Sequence, residues 1–180
     1  MVQIENLIEK TPSFKQITAD LQPKNHQLIT GISGSARTEL LSALSKEGQQ
    51  PILVVTDTIS HMQELASDLE NLLPANRVYQ FPVEEVLAAE VATSSPNYRL
   101  QRVLALNALI NREPTVVVAS AAGLRRNIIS PEYFAQSSLK IKTGGEVDPA
   151  KIRQQLSAMG YQDQKMVLRP GDFAIRGSII

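Results

Sequence analysis

Two short, continuous apolar stretches limit what this chain can fold into more than any other feature of its sequence. Pro51–Thr56 has the sequence PILVVT, and Thr115–Ser120 has the sequence TVVVAS. Runs of this length are typical of strands that are covered on both faces. Amphipathic helical spacing is present at Ser35–Lys46, Thr58–Leu73 and Asn97–Asn111. Because strands that alternate with helices form βαβ units, the pattern predicts an α/β fold with a mainly parallel sheet and flanking helices.

Weaker patterns extend this domain towards the N-terminus. Gln27–Thr30 and Arg77–Gln80 are predicted to be two further, shorter strands. Residues 2–21 predict two short amphipathic helices, which are separated at Thr11-Pro12 with Thr11 as the expected N-cap. The predicted organisation is therefore a pair of N-terminal helices at residues 1–24 and an α/β domain at residues 25–136.

The composition excludes several classes of protein. The chain has 18 basic and 18 acidic residues, so it lacks the basic excess that is typical of free-standing nucleic-acid-binding proteins. It has no cysteine and only two histidines, which excludes disulfides and thiolate metal sites and leaves no local zinc-site pattern. The sequence shows no signal peptide, and no apolar run approaches the roughly 20 residues that cross a bilayer. We expect a cytoplasmic protein without a membrane partner.

Residues 137–180 have the pattern of a small α+β domain, and we place the domain boundary near Ser130–Ser137. The predicted elements are a strand at Leu139–Thr143, a turn at Gly144-Gly145, a helix at Pro149–Met159 and a hairpin of Gln164–Leu168 and Asp172–Ile180 around a turn at Arg169–Gly171. The chain stops at Ile180 inside an apolar strand, with no cap or polar tail. We therefore expect a truncated domain and a fragment of a longer protein.

The segment Gly31–Thr38, GISGSART, resembles a phosphate-binding loop with defects. A working loop follows a strand, opens a helix and has the sequence G-x-x-x-x-G-K-[ST]. Gly31 and Thr38 match this pattern, and Gly34 lies between them, but Ala36 replaces the second glycine and Arg37 replaces the lysine. A Cβ at position 36 disfavours positive φ and narrows the phosphate pocket. An arginine fork is a poor substitute for the compact ammonium of lysine.

The loop therefore predicts the shape of a nucleotide site with incomplete nucleotide chemistry. Magnesium usually needs a carboxylate ligand after an apolar strand, and the candidate strand ends in Val118-Ala119-Ser120 instead. Three interpretations remain open at this point: binding and turnover of ATP, weak anion binding at the helix N-terminus, and a tight strand-to-helix turn without a ligand. We favour the last.

Several segments taken together resemble the N-terminal region of the bacterial transcription-repair coupling factor, in the module that it shares with the excision-nuclease B subunit. These segments are Gln27–Arg37, Leu53–Thr56, Gln80–Pro82, Thr115–Ser120, Gly160-Tyr161 and Arg169–Ile180. The last one, RPGDFAIRGSII, is the most specific. The resemblance extends over nearly the whole chain and is weakest in the first 20 residues.

The resemblance implies a P-loop-NTPase-like domain followed by the start of a docking domain. In the nuclease B subunit the loop is intact and binds ATP, whereas in the coupling factor it is degenerate and ATP and Mg serve motor domains further along the chain. The full-length coupling factor is an ATP-dependent translocase on double-stranded DNA that removes stalled RNA polymerase and recruits the damage-recognition A subunit of the nuclease. This chain is thus expected to supply the recruiting end, with no catalytic residue, cofactor or metal.

The docking residues implied by the resemblance are arginines. The nuclease B subunit has a pattern like R-x-G-x-F-x-x-R-G, whose arginines correspond to Arg169 and Arg176 here. Arg153, on the preceding predicted helix, is a third candidate. Arginine suits bidentate pairing with carboxylates of a partner. Gln162 lies where relatives often have a basic residue, which predicts a weaker contact there. Ordinary solvated strand charges are the alternative interpretation.

Several other residues are weaker candidates for a functional site. Glu84-Glu85 is interpreted as a pair of solvated loop charges, and His61, with Asp57 nearby, as a helix-capping or surface residue. A basic patch of Arg99, Arg102 and Arg125-Arg126 for DNA lacks interleaved aromatic residues. The stretch Val83–Ser95 is short and has no aromatic residue, which argues against clamping of damaged DNA. The alternative function is a nucleotide-binding, ATPase- or helicase-like domain with residual ATP or DNA binding.

Overall fold

The computed structural model describes residues 8–83, 96–125, 127–177 and 179–180. The described helices are α1 Pro12–Ala19, α2 Ser35–Glu47, α3 Ile59–Glu70, α4 Pro96–Ile110, α5 Pro131–Gln136 and α6 Pro149–Ala158. The strands are β1 Ile52–Thr56, β2 Val78–Phe81, β3 Val116–Ser120, β4 Gln162–Asp163 and β5 Asp172–Phe173. Short 3-10 turns lie at Ala75–Arg77 and Gly123–Arg125. In the described part of the chain, no helix is long and apolar enough to cross a membrane.

The chain divides into two compact units, the first of which comprises the residues up to Val83 together with Gln101–Arg125. The second comprises Glu84–Leu100 and Arg126–Ile180, of which the structure describes 96–100, 127–177 and 179–180. The predicted boundary between residues 136 and 137 stays a prediction. The predicted α/β class, with a parallel sheet and flanking helices, is confirmed.

The first unit is built on a three-stranded parallel sheet with the strand order β1-β3-β2. Its central strand β3 is fully buried along its whole length, as its valine-rich sequence predicts. Thr11 and Thr58 cap the helices α1 and α3 by accepting hydrogen bonds from Phe14 N–H and His61 N–H. Caps of this kind satisfy backbone donors at the first turn of a helix. The predicted N-cap at Thr11 is therefore confirmed, whereas most of the helix predicted before it lies outside the described residues.

Two apolar layers sandwich β3. On one face, α3 packs on the sheet through a buried cluster whose members include Met62, Leu69, Val116 and Val118, with Leu41 of α2 against it. On the other face, Ala105 of α4 packs with Val117, Ala119 and Phe81. Alternate side chains of a strand point to opposite faces of the sheet, so β3 supplies both layers.

The strand β1 lies at an edge of this sheet and differs from the prediction. Its apolar run predicted burial on both faces, but burial alternates, and Leu53 and Val55 are 49% and 51% exposed. Val54 packs on the α3 side. The prediction was wrong for β1. An apolar run shows that both faces of a strand are hydrophobic, but the burial of each face depends on which helices pack on it.

No strand forms at Gln27–Thr30, so that prediction was wrong. The segment has no ladder partner among the described strands, and Leu28 is 90% exposed. A strand needs the backbone of a neighbour to accept and donate its hydrogen bonds. Short alternation in the sequence does not supply that neighbour.

The second unit contains α5, α6 and a two-stranded sheet of β4 and β5 that pair in parallel. Asp148 caps α6, and the apolar anchors Ile152 and Phe173 are 3% and 5% exposed. The predicted turns at Gly144-Gly145 and Arg169–Gly171 are present, with Gly145 N–H bonded to Lys142 O and Asp172 N–H bonded to Arg169 O.

Two strand predictions in this unit were wrong. Leu139–Thr143 forms no strand, and Ile141 is 53% exposed. The predicted hairpin is replaced by the parallel pairing of Gln162 with Asp172 and of Asp163 with Phe173. Among the residues that the structure describes here, Arg176 and Ile179 form an isolated antiparallel bridge.

Candidate functional site

The degenerate phosphate loop leads directly into α2, without a strand before it. Gly31 and Gly34 have φ of +79° and +56°, and Gly34 is the N-cap of the helix. These are conformations that L side chains rarely adopt, so both glycines are required by the backbone. Ala36 and Arg37 lie within the first turn of α2. Ala36 is helical and does not have positive φ, so the backbone penalty that a Cβ would bring at positive φ does not arise at this position.

A cleft of about 600 Å³ lies beside this loop in the first unit. Its lining includes Gly34, Ser35, Arg37 and Thr38 of the loop and helix start, and Thr56 at the end of β1. Thr38 is 3% exposed. The loop, the helix start and the strand end therefore enclose a space at the place where the sequence predicts a nucleotide-shaped site.

The charges around the cleft do not suit a triphosphate. Three carboxylates line it, from Asp57, Glu64 and Asp68, against the guanidinium of Arg37 and the imidazole of His61. Like charges at close range cost binding free energy, so these carboxylates oppose a polyanionic ligand. The lining of the cleft therefore combines three carboxylates with one guanidinium and one imidazole, which disfavours a polyanionic ligand.

Asp57 and His61 form a hydrogen-bonded pair at the edge of the cleft. His61 Nδ1 lies 2.6 Å from Asp57 Oδ1, and both side chains are mainly exposed. The bond to His61 is the largest cause that lowers the pKa of the Asp57 carboxyl, and the backbone N–H of Thr58 lowers it further. The backbone N–H of His61 also donates a hydrogen bond to Thr58 Oγ1, the N-cap of α3. These contacts agree with the interpretation of His61 as a residue of the helix start.

The end of β3 offers no magnesium ligand. Ser120 is fully buried, and its hydroxyl accepts a hydrogen bond of 3.2 Å from Gly123 N–H. Among the residues that the structure describes, no group of three or more His, Asp or Glu side chains could hold a metal ion. The polar residue at the end of this strand therefore stabilises a turn.

The three arginines of the expected docking surface lie in the second unit. Arg153 on α6 points to β4, where its Nε lies 3.3 Å from Asp163 Oδ2. Asp163 pairs with Phe173 in the small sheet, and the neighbouring pair is Gln162 with Asp172. The acidic partners of Arg153 and Arg169 thus lie on two paired strands, which brings the two arginines to the same sheet.

Arg169 and Asp172 close the turn before β5. Arg169 Nε lies 3.6 Å from Asp172 Oδ1, and the side chain of Asp172 is 6% exposed whereas that of Arg169 is 65% exposed. Asp172 Oδ2 also accepts a hydrogen bond of 3.4 Å from Leu168 N–H. The buried carboxylate of Asp172 therefore stabilises the turn, and the guanidinium of Arg169 stays accessible to solvent.

Arg176 has a different environment from that of Arg169. Its Nη2 donates a short hydrogen bond to the backbone carbonyl of Lys165, and its backbone bridges to Ile179. Arg176 is exposed, but one nitrogen of its guanidinium is engaged by the backbone carbonyl of Lys165 in the same chain. The sequence placed Arg176 on the docking surface without indicating this internal partner, which lies eleven residues away.

The sequence interpretation missed the exposure of the segment directly before Arg169. Met166, Val167 and Leu168 are 64%, 56% and 80% exposed. Their apolar character was assigned to a hairpin strand, so they were expected to be partly covered. The sequence offers no signal for this exposure, because a run of apolar residues is equally typical of a covered strand.

The remaining candidates divide into two groups. Glu84-Glu85 and Arg126 lie outside the described residues. Arg102 takes part in packing, because its Nη1 donates to Pro82 O at 2.8 Å and its guanidinium lies 3.9 Å from the Phe81 ring centroid. Arg102 is therefore less available to DNA than the sequence suggested. The basic patch, which also includes Arg99 and Arg125, stays a prediction.

Comparisons with known proteins point to a repair factor. A family model described as "UvrB interaction domain" matches residues 139–180. The chain is 36% identical, over 181 aligned residues, to the transcription-repair-coupling factor of Bacillus subtilis (strain 168), and 26% identical over 180 residues to that of Staphylococcus aureus (strain bovine RF122 / ET3-1). Each alignment covers 100% of this chain and 15% of the relative. The chain thus spans about 15% of the length of the curated relatives it matches.

Proposed function

Because the chain belongs to the transcription-repair-coupling factor family, we propose that it recruits the damage-recognition A subunit of the bacterial excision nuclease. Family membership confirms the resemblance to the N-terminal region of the coupling factor. The observation that carries the proposal is the match of residues 139–180 to a UvrB interaction domain. This stretch contains Arg153, Arg169 and Arg176.

The chemistry of the second unit supports recruitment of a protein. Arginine pairs with carboxylates through two parallel hydrogen bonds and is enriched at interfaces between proteins. Arg169 is 65% exposed beside the exposed apolar residues Met166–Leu168. A surface that combines exposed arginine with apolar side chains suits a protein partner that offers carboxylates around an apolar patch.

The first unit is proposed to act without nucleotide chemistry. Three observations support this: the loop has no strand before it, the lysine position holds Arg37, and three carboxylates line the cleft. The buried Ser120 stands where a magnesium ligand would be needed. The unit then serves as a scaffold, while ATP hydrolysis, DNA translocation and removal of RNA polymerase are proposed for the rest of a full-length coupling factor.

Binding to the A subunit tests the proposal directly. The purified chain is passed over immobilised A subunit, and the dissociation constant is measured by surface plasmon resonance. Arg176→Ala should weaken binding by about 1 kcal/mol or more, the range of charged interface anchors. Lys151→Ala, an equal loss of charge on α6, is the control. Absence of binding by the unaltered chain would reject the recruitment function.

Residual nucleotide binding is the second candidate function, because α2 begins with a glycine N-cap at a cleft of about 600 Å³. Calorimetry with Mg-ATP separates the two candidates. We expect millimolar affinity or none, and micromolar affinity would support the nucleotide-binding alternative instead. Titration of a fluorescent DNA duplex at moderate salt tests DNA binding in the same way.

A further inference from the structure

The cleft beside the degenerate loop contains a buried hydroxyl that the fold itself does not use. Thr38 lines the cleft and is 3% exposed. Its hydroxyl makes no hydrogen bond to another residue that the structure describes. The hydroxyl of Thr56, which also lines the cleft, donates to Thr58 O at 2.9 Å. Because a buried polar group without a partner costs free energy of folding, the Thr38 hydroxyl is best explained by a ligand that enters the cleft.

The opposite side of the cleft is an acidic face of α3. His61, Glu64, Leu65 and Asp68 line the cleft, and their spacing places them on one side of the helix. Glu64 and Asp68 are exposed, and like charges four residues apart on a helix repel each other. The ion pairs of the described residues do not include either carboxylate. A cation in the cleft would relieve this repulsion.

The charge of the lining selects a cation, and the geometry selects an organic one. The carboxylates of Asp57, Glu64 and Asp68 outnumber the guanidinium of Arg37. No cluster within the described part of the chain could hold a metal ion, so these carboxylates are too dispersed for one. The cleft volume of about 600 Å³ lies in the range of roughly 300–1,000 Å³ that is typical of small-ligand sites. A cation with several hydrogen-bond donors can reach groups on both sides of such a space.

The apolar part of the lining suits a cation that has an aliphatic stem. Val54 and Leu65 line the cleft and belong to the same apolar cluster under the sheet. Methylene stems of arginine and lysine pack on apolar surfaces while their charged heads stay with polar groups. A guanidinium has five N–H donors in a planar fork, whereas an ammonium has three on one atom. The guanidinium is therefore better suited to contact a hydroxyl and two carboxylates together.

We propose that this cleft binds a guanidinium group on an aliphatic stem. Glu64 and Asp68 pair with its charge, the Thr38 hydroxyl accepts one of its N–H groups, and the stem packs on Val54 and Leu65. Two sources have this chemistry: an arginine side chain from elsewhere in a full-length coupling factor, of which this chain spans about 15%, and a free small guanidinium compound. The site does not depend on the recruitment function, because it lies in the first unit and outside residues 139–180.

Titration with n-butylguanidinium tests the site on the unaltered chain. Amide chemical shifts are followed by NMR at low salt, where we expect saturable changes confined to the cleft and a dissociation constant of roughly 1 mM or lower. Butyltrimethylammonium is the matched control ligand, since it keeps the charge and the stem but has no N–H donor. It should bind at least about tenfold more weakly. Absence of saturable binding by n-butylguanidinium, or equal binding of the two cations, would overturn the proposal.

Substitution of the acidic face tests the charge contact. The double variant Glu64→Gln, Asp68→Asn should weaken n-butylguanidinium binding by about tenfold. The matched control is Glu47→Gln, Glu70→Gln, which removes two exposed carboxylates of the same unit that do not line the cleft. The control should bind as the unaltered chain does. If both double variants weaken binding equally, the effect is one of net charge and the assigned contact is wrong.

Substitution of Thr38 separates a ligand contact from a structural role. Thr38→Val keeps the shape of the side chain and removes the hydroxyl, so it should weaken n-butylguanidinium binding by about fivefold. The melting temperature of the free chain should stay the same or rise, because the variant no longer buries a polar group without a partner. A lower melting temperature with unchanged affinity would show a structural role. Unchanged affinity at any stability removes Thr38 from the site.

The two sources are distinguished by ligand-observed NMR on this chain and on a full-length coupling factor that contains it. Binding of n-butylguanidinium to both proteins assigns the cleft to a free compound. Binding to this chain alone assigns it to an arginine side chain of the longer protein, and binding to neither overturns the site. All cleft variants should bind the A subunit as the unaltered chain does. Failure of the cleft inference therefore leaves the recruitment function intact, and failure of recruitment leaves the cleft inference intact.

Discussion

His61 Nδ1 lies 2.6 Å from Asp57 Oδ1, and this contact links the end of β1 to the first turn of α3. Asp57 also accepts a hydrogen bond of 2.8 Å from Thr58 N–H. The carboxylate thus takes two donors at the edge of the cleft beside the degenerate loop. Because hydrogen bonds to the charged form favour it, the pKa of Asp57 lies below its ordinary value.

We predict that His61→Ala raises the pKa of the Asp57 carboxyl towards its ordinary value, because the bond to His61 is the largest cause of the lowering. The measurement is an NMR titration of side-chain carboxyl carbons. Glu132 is an internal control, since its pKa is lowered by its own backbone N–H and by Ser130. An unchanged Asp57 titration would show that the pair does not form in solution.

The same pair predicts the sign of a pH effect on stability. A carboxyl whose pKa is lower in the folded state stabilises it above the ordinary pKa of about 4, and this contribution is lost as the pH falls through the folded value. The difference in free energy of unfolding between the unaltered chain and His61→Ala should therefore shrink below about pH 4. A difference that grows on acidification would contradict the assignment.

Leu69 and Leu28 predict opposite outcomes for the same substitution. Leu69 is fully buried under the sheet, so Leu69→Ala should lower the free energy of unfolding by about 2–5 kcal/mol. Leu28 is 90% exposed, so Leu28→Ala should cost less than about 0.5 kcal/mol. Urea unfolding measures both. A large loss in the free energy of unfolding for Leu28→Ala would support the strand that the sequence predicts at Gln27–Thr30.

Restoring the glycine and the lysine of a working phosphate loop should not restore nucleotide binding. We expect the double variant Ala36→Gly, Arg37→Lys to show no micromolar binding of Mg-ATP by calorimetry. The substitutions change neither the missing strand before the loop nor the carboxylates of Asp57, Glu64 and Asp68 in the cleft. Micromolar affinity in the double variant would show that the two loop residues alone had abolished the site.

The ion pair of Arg153 with Asp163 should contribute little to stability. The two side chains are 52% and 42% exposed, so solvent screens their attraction. We predict that Asp163→Asn lowers the free energy of unfolding by less than about 1 kcal/mol, measured by thermal unfolding. A larger loss would place the pair within the structural core of the second unit, and a loss of A-subunit binding by Arg153→Ala would then need a folding control.

The proposed docking surface shows which features of a site the sequence alone can predict. The resemblance assigned Arg169 and Arg176 from their spacing in the Arg-Pro-Gly-Asp-Phe segment, and that spacing is visible in the sequence. The internal bond from Arg176 to Lys165 was not, because the two residues are eleven positions apart and meet only after the intervening turn has formed. Leu168, which is 80% exposed, also contacts this turn through its backbone N–H.

The sequence by itself determined the local elements of this protein. The expected N-cap located the start of α1 at Thr11, helical patterns located α3 and α6, and the valine-rich stretch located β3. Capping and amphipathic spacing involve residues within a few positions of each other. The elements that they specify can therefore be predicted without the rest of the chain.

Only the tertiary structure decided which strands form and what lies over them. Gln27–Thr30 has a strand-like sequence but no partner, β1 leaves Leu53 and Val55 open, and β4 pairs with β5 in parallel where a hairpin was predicted. A helix satisfies its backbone within one segment, whereas a strand takes its hydrogen bonds from a distant one. Strand pairing and the burial of each face are therefore properties of the assembled chain.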